Sequence, residues 1–540
     1  MHQGLRTSAA PASASDKGLG PASTDLRSAR ALVIDANPTN RSILKGMLVD
    51  LGVKADHVKQ VGRFDEARTT LEYASFDIVL CDYHFQDTDQ NGADLLDELR
   101  RSHSLPYATV FIMVTSEADH GRVAEAAESA LDSYLLKPHN HNALAQRLVA
   151  SRHRKIVLAD IFQALQQEDF PMAAKLCQAR FAARGEYWVY AARIGGELLL
   201  RLNQHEDARA MFEAVDATKA MPWARLGVAR AQLENGQIAP AMHTLDSLIG
   251  ENPSYADAYD VMGRAQFQSG DFDQAYATYR HAVDLTPSSL ARLQKMGMLA
   301  FYLGKTDEAT RALEKAAVLG CTSRLFDFQG LVLLAHVQFG KADSKGLQKS
   351  MNQVMQAHEK APRSARLRRM YELLHVLSLM QQKQVAEVVR RIKNMSREFS
   401  MDNYDFEAAG NTLSLLVTLR QSELELPDAE PWVEQLARRF CTNKAMTDML
   451  CMTVRQHPPY ERQIREAYKG IGALTEQCLA QAKAGAPEQA IELMLKQAAQ
   501  TGNARLLDLC EMLLQRYASQ VRDASLSERT QALRGKQTPA

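Results

Sequence analysis

Four short apolar runs in the first quarter of this chain each lead into a residue with reactive or charged chemistry. The residues that end these runs are Asp35, Asp82, Thr115 and Lys137. Apolar runs of this length between helix-like segments are typical of buried parallel strands. Because ligands of an open parallel sheet bind outside the carboxyl ends of its strands, we expect these four side chains to meet in one crevice.

Five strand-like stretches alternate with five helix-like stretches in this part of the chain. The predicted strands cover residues 31–35, 57–61, 78–82, 110–115 and 133–137, and the predicted helices cover 39–51, 64–73, 93–101, 119–129 and 140–151. Five βα units in succession predict an α/β fold with a doubly wound, five-stranded parallel sheet of the flavodoxin type. Asn140 is the expected N-cap of the last helix.

Composition narrows the class of protein. The chain has 540 residues, enough for several domains, and its 64 basic residues balance 64 acidic ones, so net charge favours neither nucleic acid nor a membrane surface. None of the seven cysteines forms a C-x-x-C pair, which argues against a zinc site or a disulfide framework. No apolar run approaches the length of a membrane helix. Residues 1–29 lack the apolar stretch of a signal peptide and are predicted to be a disordered tail.

The motifs at the strand ends are V-I-D-A-N-P-T-N-R, V-L-C-D-Y, M-V-T-S and S-Y-L-L-K-P, in this order. In carrying them, residues 30–152 resemble the receiver domain of bacterial two-component response regulators. The resemblance implies that Asp82 accepts a phosphoryl group from a sensor histidine kinase and that Thr115 and Lys137 contact that group. It also implies that Thr115 and Tyr134 move together as a switch and that the Lys137-Pro138 peptide is cis.

The resemblance further implies a Mg²⁺ ion held by Asp35, Asp82 and the backbone carbonyl of His84. The second acid that receivers usually carry is replaced by Ala36, so we expect this ion to bind weakly. The chemistry suits a receiver: a carboxylate is a competent nucleophile, and phosphoryl transfer needs positive charge and fixed donors around it. The loop after Asp82 is longer than usual, and its Asp87 and Asp89 are either additional metal ligands or solvated.

Beyond residue 153 the pattern becomes helical and repeats every 34 residues, at Gly236, Gly270 and Gly304 and again at Ala241, Ala275 and Ala309. This period, with small residues at helix crossings and glycine in the turn, is the tetratricopeptide pattern. We expect a tetratricopeptide array over residues 153–320 and degenerate helical repeats over 321–535, with a late copy near Gly485. Stacked hairpins of this kind form an all-α solenoid.

Such arrays bind proteins in a concave groove. The inner-face positions implied by the resemblance are Tyr190, Arg193, Arg201, Trp223, Arg230, Asp257, Asp260, Arg264, Phe267, Met298 and Tyr302. No H-E-x-x-H, Walker or G-x-S-x-G motif occurs, so we expect no enzyme activity.

The leading hypothesis is a bacterial cytoplasmic response regulator that is phosphorylated on Asp82 and acts through protein binding by the repeats. The alternative is a phosphorylation-independent adaptor, or a decoy that inhibits a kinase, with a degenerate receiver; Ala36 favours it. A homodimer is possible under either hypothesis.

Overall fold

The structure is a computed structural model that describes residues 26–106, 108–115, 133–138 and 140–537. The chain forms two compact units, of which the first ends at Trp223 and the second begins at Ala224. The first unit contains a sheet and the helices that follow it, and the second is helical in its described part. No helix among the described residues is long and apolar enough to cross a membrane.

The sheet of the first unit has five parallel strands in the order β2-β1-β3-β4-β5. The strands are β1 Ala31–Ile34, β2 Val58–Val61, β3 Ile78–Asp82, β4 Val110–Thr115 and β5 Ser133–Leu136. The registers pair Asp82 with Val114 and Thr115 with Leu136. The predicted α/β fold with its parallel sheet is confirmed, and the residues after β1, β3, β4 and β5 lie along one edge.

Helices cover both faces of this sheet. They are α1 Pro38–Asp50, α2 Phe64–Tyr73, α3 Gly92–Arg101 and α4 His141–Val157, and a short 3-10 turn, Ala55–His57, precedes β2. Side chains alternate along each strand, so Val33 packs with Leu44 on one face while Ile34 packs with Phe64 on the other. The helix predicted over residues 119–129 lies outside the described residues.

The segment before β1 corrects one expected boundary. Leu26 and Ala29 are buried in the core on the α1 side of the sheet. The prediction of a disordered tail is therefore wrong for residues 26–29, because two of these four residues bury apolar side chains. Residues 1–25 of that predicted tail lie outside the described part of the chain.

Helix α4 is longer than predicted and leads almost directly into the helices that follow. Asn140 caps it, accepting hydrogen bonds from the backbone N–H groups of Asn142 and Ala143. The helix ends at Val157 instead of residue 151, and α5 begins at Ala159. The first unit then continues with the helices α5 Ala159–Gln166, α6 Phe170–Ala182, α7 Trp188–Arg201 and α8 His205–Thr218.

Helix α9 begins at Pro222, just before the division between the units. The helices from there are α9 Pro222–Glu234, α10 Ile238–Glu251, α11 Ala256–Ser269, α12 Phe272–Leu285, α13 Leu290–Leu303, α14 Thr306–Gly320, α15 Gln329–Gly340, α16 Ser344–Lys360, α17 Ala365–Gln381, α18 Val385–Ser396, α19 Phe406–Gln421, α20 Ala429–Phe440, α21 Lys444–Val454, α22 Pro458–Lys483, α23 Pro487–Thr501, α24 Ala504–Arg516 and α25 Ser525–Gln537.

The 34-residue period has a clear structural basis in the second unit. Gly236, Gly270 and Gly304 all have positive φ angles, of 74°, 85° and 77°, in the turns between paired helices, a conformation that glycine adopts without strain. Gly263 and Gly297 let their helices approach a neighbour closely, because a Cβ at either position would lie 2.8 Å from Tyr279 or Leu313.

Two of the later helices, α15 and α19, are buried on most of their faces. Helix α15 is buried almost all round, and so is the middle of α19. Gln329 on α15 and Asn411 on α19 exchange two side-chain hydrogen bonds of 2.7 Å, and both residues are buried. We call the first helix of each successive hairpin, from α9 to α19, an inner helix. From α13 to α19, consecutive inner helices pack against one another.

Candidate functional site

Three of the four predicted residues meet at the carboxyl edge of the sheet. Lys137 Nζ lies 2.8 Å from Asp82 Oδ2 and 3.5 Å from Asp35 Oδ2. Both carboxylates are buried, with 1 % and 6 % exposure for Asp35 and Asp82, while the lysine reaches solvent. The cation therefore partly offsets the cost of placing two carboxylates in a poorly solvated crevice.

The loop after β1 holds Asp35 in position. Its Oδ1 accepts a hydrogen bond of 2.8 Å from Asn37 N, and its Oδ2 accepts one of 3.2 Å from Asn40 Nδ2. Arg41 Nη1 donates to the carbonyl oxygens of Asp35 and Ala36, at 2.6 and 3.0 Å. Gly62 leaves room for this guanidinium, since a Cβ there would lie 2.8 Å from Arg41 Nη1. These contacts fix the backbone on which the usual second acid would stand.

The electrostatics of Asp82 follow from its surroundings. Burial raises the pKa of this carboxyl above its ordinary value, and the neighbouring charge of Asp35 raises it further. The hydrogen bond from Lys137, its positive charge and a backbone hydrogen bond from His84 act in the opposite direction. Asp82 is thus a poorly solvated carboxylate with one cation beside it, an environment that suits a nucleophile toward phosphorus.

The long loop after β3 is closed at its base. His84 and Asn91 form an antiparallel bridge, and Gly92 N donates to Tyr83 O at 2.8 Å. Gly92 admits no side chain, because a Cβ would lie 2.6 Å from the carbonyl oxygen of Asp82. Asn91 then caps α3, with a reciprocal hydrogen bond from its own backbone N–H to Asp94. The loop therefore begins and ends beside the phosphoacceptor candidate.

Asp87 in this loop serves α2. Its carboxylate accepts from Phe64 N at 3.3 Å, at the amino end of α2, and Arg63 Nε lies 3.4 Å away. This arrangement is the one expected of an acid beside a helix N-terminus. Asp87 is also exposed, so of the two roles that the sequence left open, metal ligand or solvated acid, its position agrees with the solvated acid.

Sequence reasoning missed a buried polar cluster beneath the same loop. Gln90 Nε2 donates to Glu98 at 2.8 Å, and the Glu98 carboxylate faces Arg68 at 3.7 Å. All three residues are buried, Arg68 to 2 % exposure. The available signal was weak: Arg68 occupies a core position of α2, where an apolar residue is expected.

Of the two predicted switch residues, Thr115 has a described side chain and Tyr134 has only a described backbone. Thr115 ends β4 and is buried, and its carbonyl accepts from Lys137 N at 2.8 Å. Tyr134 lies in β5, paired with Met113, but its side chain lies outside the described part of the structure. The predicted cis peptide at Lys137-Pro138 is confirmed.

The carboxylates of Asp35 and Asp82 suit a hard cation that takes few of its ligands from the protein. Asp35 and Asp82 offer carboxylate oxygens within reach of the same ammonium group. Among the described residues, no group of three or more His, Cys, Asp and Glu side chains stands ready for a metal. Mg²⁺ commonly binds through one or two carboxylates and retains several waters. The two carboxylates therefore fit Mg²⁺, and the His84 carbonyl stays a predicted third ligand.

The predicted groove residues of the first unit are engaged by the chain itself. The Arg154 guanidinium lies 4.2 Å from the centre of the Tyr190 ring, and Arg193 lies 5.5 Å from that of Trp223. Trp223 is only 8 % exposed and contacts Phe212 edge to face. The prediction of Trp223 as an accessible anchor is therefore wrong, because its ring is needed for packing between helices.

In the second unit the predicted groove residues differ among themselves. Arg264 is exposed and pairs with Glu234 at 2.7 Å, and Arg230 is half-buried. Tyr302, by contrast, accepts a hydrogen bond from Gln329 at 3.4 Å, and burial raises its pKa to about 12. Its carbonyl oxygen also accepts from Arg455 Nη1 at 3.3 Å. Arg230 and Arg264 remain predicted partner contacts, whereas Tyr302 is half-buried and packs against the core.

Acidic residues and a lysine at the edge of a five-stranded parallel sheet define the class of receiver domains. Residues 31–149 match the response regulator receiver domain family, and residues 199–265 and 256–289 match two tetratricopeptide repeat families. The receiver is 30% identical over 119 residues to the chemotaxis protein CheY-3 of Vibrio cholerae, covering 22% of this chain and 88% of that protein. It is 29% identical to the chemotaxis protein CheY of Pseudomonas aeruginosa, covering 22% and 92%.

The chain belongs to the bacterial response regulators, with an amino-terminal receiver followed by tetratricopeptide repeats. Among solved structures, it is similar to a thermophilic tetratricopeptide repeat protein of Thermus thermophilus, with 24% identity, a TM-score of 0.26, and coverage of 33% of this chain and 93% of that one. A tetratricopeptide repeat protein of Parabacteroides merdae matches with 12% identity, a TM-score of 0.31, and coverage of 55% and 98%.

Proposed function

We propose that Asp82 is phosphorylated by a sensor histidine kinase and that the modified receiver controls protein binding by the repeats in the bacterial cytoplasm. The observation that carries this proposal is the buried Asp82 carboxylate with Lys137 Nζ at 2.8 Å and Asp35 beside it. Burying two acids and a lysine costs desolvation energy. A receiver that is not phosphorylated would not need to bear this cost, so the cluster favours an active phosphoacceptor.

The residues have distinct parts in the transfer. An Asp82 oxygen attacks phosphorus, the bond from phosphorus to the kinase histidine breaks, and the phosphoryl group ends on the carboxylate. Lys137 neutralises charge on the phosphoryl oxygens, and the Thr115 hydroxyl donates to one of them. Bound Mg²⁺ supplies the further positive charge that this transfer requires. Asp35, Asp82 and the His84 carbonyl would hold that ion, and the contacts of Asn37 and Asn40 orient Asp35.

Phosphorylation changes the charge that Lys137 and Thr115 must satisfy, so it can shift an equilibrium between two arrangements of the receiver. We propose that this conformational change is transmitted from the receiver to the repeats through residues 119–129, β5 and α4. The last turn of α4 supports this route: Lys155 pairs with Asp77 at 3.2 Å in the receiver, while His153 contacts Glu186 at 2.9 Å in the first repeats. Hydrogen exchange with and without beryllofluoride will test it; protection changes confined to the opposite face, which α2 and α3 cover, would contradict this route.

The decisive experiment is labelling with acetyl phosphate and Mg²⁺, read on a phosphate-affinity gel. We expect the wild-type chain to be labelled and Asp82→Asn to show no label. Asp87→Asn is the matched control, since Asp87 serves the amino end of α2 and its loss should leave labelling intact. Label retained in Asp82→Asn would place the acceptor elsewhere.

The second candidate is an adaptor that binds a kinase without turnover. Ala36 in place of an acid favours this candidate. The hydrogen bonds that Asn37 N and Asn40 Nδ2 donate to the two Asp35 oxygens also favour it, because these oxygens are then already engaged. It predicts that the wild-type chain takes no label and that beryllofluoride with Mg²⁺ shifts no receiver resonances in NMR spectra. Labelling of the wild-type chain excludes this candidate.

A further inference from the structure

The inner helices of the second unit are closed at one end by a helix from much later in the chain. Helix α21 contacts α11 and α13, which belong to the regular repeats. Ala445, at the start of α21, lies beside Gly270, and Arg455, just after its end, lies beside Gly304. Gly270 and Gly304 are the residues that end α11 and α13. Helix α21 therefore spans the carboxyl ends of two successive inner helices.

Arg455 makes the polar contact of this closure. Its Nη1 donates to the carbonyl oxygen of Tyr302 at 3.3 Å, in the last turn of α13, where carbonyl groups lack partners within the helix. A helix C-terminus carries partial negative charge and favours a cation. Arg455 is itself exposed, so this contact can break without leaving its charge buried.

The opposite side of α21 is held more extensively. Asp448 pairs with Arg465 of α22 at 3.0 Å, and the Thr453 methyl group lies against Gly410 of α19. Leu450 and Val454 are fully buried in the main core. Helix α21 is thus held mainly by later elements, and its contacts with α11 and α13 are fewer. These contacts include Ala445 beside Gly270 and the exposed Arg455 beside Gly304.

From this asymmetry we propose that α21 and Arg455 form a latch over the carboxyl ends of α11 and α13, and that opening the latch exposes these ends to a protein partner. The partner that fits is a helix carrying a basic residue, because the opened ends present the carbonyl groups that Arg455 now satisfies. The identity of this surface as a binding site rests on the proposed function of the repeats, whereas the latch itself does not.

Two glycines provide a matched test. A Cβ at Gly304 would overlap the Arg455 guanidinium, whereas a Cβ at Gly236 would meet nothing within 4 Å. Both have positive φ angles, 77° and 74°, and both follow an inner helix, so Gly304→Ala and Gly236→Ala carry similar backbone strain. We expect hydrogen exchange at the ends of α13 and α21 to accelerate on the order of tenfold in Gly304→Ala, the scale of one charged hydrogen bond, and to stay unchanged there in Gly236→Ala.

Arg455→Ala should accelerate exchange at the same sites, and Arg462→Ala, an exposed arginine on the neighbouring helix, should not. Equal exchange in Gly304→Ala and Gly236→Ala, or in the two arginine variants, would overturn the latch. A double variant, Gly270→Cys with Ala445→Cys, allows a disulfide that fixes α21 to the end of α11. The two Cβ positions would lie 3.9 Å apart, within the range for a disulfide. Oxidation should slow exchange at these ends relative to the reduced form of the same variant; no difference would also argue against the latch.

A labelled peptide of residues 443–456 tests the exposed surface. It should bind full-length Arg455→Ala roughly tenfold more tightly than the wild-type chain, whose own α21 competes at high effective concentration. The same peptide with Arg455→Ala should bind more weakly. Equal binding to both proteins would contradict a surface uncovered by opening. These measurements use neither phosphorylation nor a natural partner, so their failure is distinct from a failure of Asp82 to accept phosphate.

Discussion

The receiver pocket and the inner helices of the second unit both bring together polar residues that are far apart in sequence, but with opposite results. In the receiver, Asp35, Asp82 and Lys137 meet at the edge of the sheet, where Lys137 still reaches solvent. Among the inner helices, Gln329 meets Asn411 and both are buried. The first cluster is available for chemistry, whereas the second holds the fold together.

The difference comes from the backbone. Parallel strands place their carboxyl ends at one edge whatever the side chains are, so residues at those ends converge by topology. A residue on a helix face is accessible or buried according to which later helix packs on it. Tyr302 shows this: it occupies an inner-face position of a regular repeat, yet Gln329 and Arg455 contact it from outside that repeat.

If Lys137 holds the receiver cluster together, Lys137→Met should have the largest effect on stability. Removing one partner of a buried ion pair commonly costs 3–5 kcal/mol, and we expect about 3 kcal/mol at pH 7 because this lysine is partly exposed. Burial raises the folded pKa of Asp82, and losing Lys137 raises it further. A raised carboxyl pKa gives stability at low pH that is lost as the pH rises through that pKa.

The deficit of Lys137→Met should therefore shrink as the pH falls from 7 to 4, as measured by urea unfolding at each pH. Lys155→Met is the control. The two lysines are similarly exposed, but the side chain of Asp77, the partner of Lys155, is 47% exposed whereas that of Asp82 is 9% exposed, so the Lys155 pair should be worth less than about 1 kcal/mol. A deficit independent of pH would show that Lys137 acts through packing alone.

In the second unit, the corresponding test concerns His336, which is half-buried. Burial lowers its pKa to about 4, while an unfolded histidine titrates near 6.5. The unfolded chain therefore binds the proton first as the pH falls, and the stability present above pH 6.5 is lost between there and about pH 4. This difference corresponds to roughly 2–3 kcal/mol over that window.

His336→Gln cannot titrate and should make the unfolding free energy of the second unit much less dependent on pH between 6.5 and 4. His243→Gln, at an exposed position, should retain the wild-type dependence. Identical pH profiles for the wild-type chain and His336→Gln would contradict a buried, neutral imidazole.

The same contrast explains what the sequence could predict. The strands, their order along the chain and the residues at their ends could be predicted, because hydrophobic periodicity and short motifs involve residues that are close in sequence. The 34-residue spacing of the glycines could be predicted for the same reason, and these glycines have positive φ angles in the turns. The role of Asp87 could not be predicted, because it depends on where the amino end of α2 lies. Nor could the Gln329–Asn411 pair, whose members are 82 residues apart and belong to no repeat.

That pair offers a smaller but cleaner measurement. Gln329→Leu leaves the Asn411 amide buried without its partner, which should cost about 2 kcal/mol. Adding Asn411→Leu removes the orphaned group, so the double variant should recover most of the loss. A double-mutant cycle by urea unfolding should give an interaction energy of about 1–2 kcal/mol. Additive effects would mean that the two amides do not depend on each other.

The last and smallest expected effect concerns Ala36 and decides how the receiver pocket works. Only Asp35 remains of the usual acid pair, and both of its oxygens already accept hydrogen bonds from Asn37 and Asn40. Ala36→Asp would return a second carboxylate on a backbone that Arg41 already holds. We expect roughly tenfold tighter Mg²⁺ binding, the scale of one charged contact, and faster labelling by acetyl phosphate.

Ala36→Asn is the matched control, because it has nearly the same shape without the charge and should give less of the gain. Calorimetry or NMR is the suitable measurement, since the tryptophans, Trp188, Trp223 and Trp432, all lie outside the receiver. Unchanged affinity in Ala36→Asp would mean that another group already completes the metal site, and the engagement of Asp87 at α2 makes it a poor candidate. Tighter Mg²⁺ binding without any labelling would separate metal binding from transfer and would favour the adaptor over the phosphorylated switch.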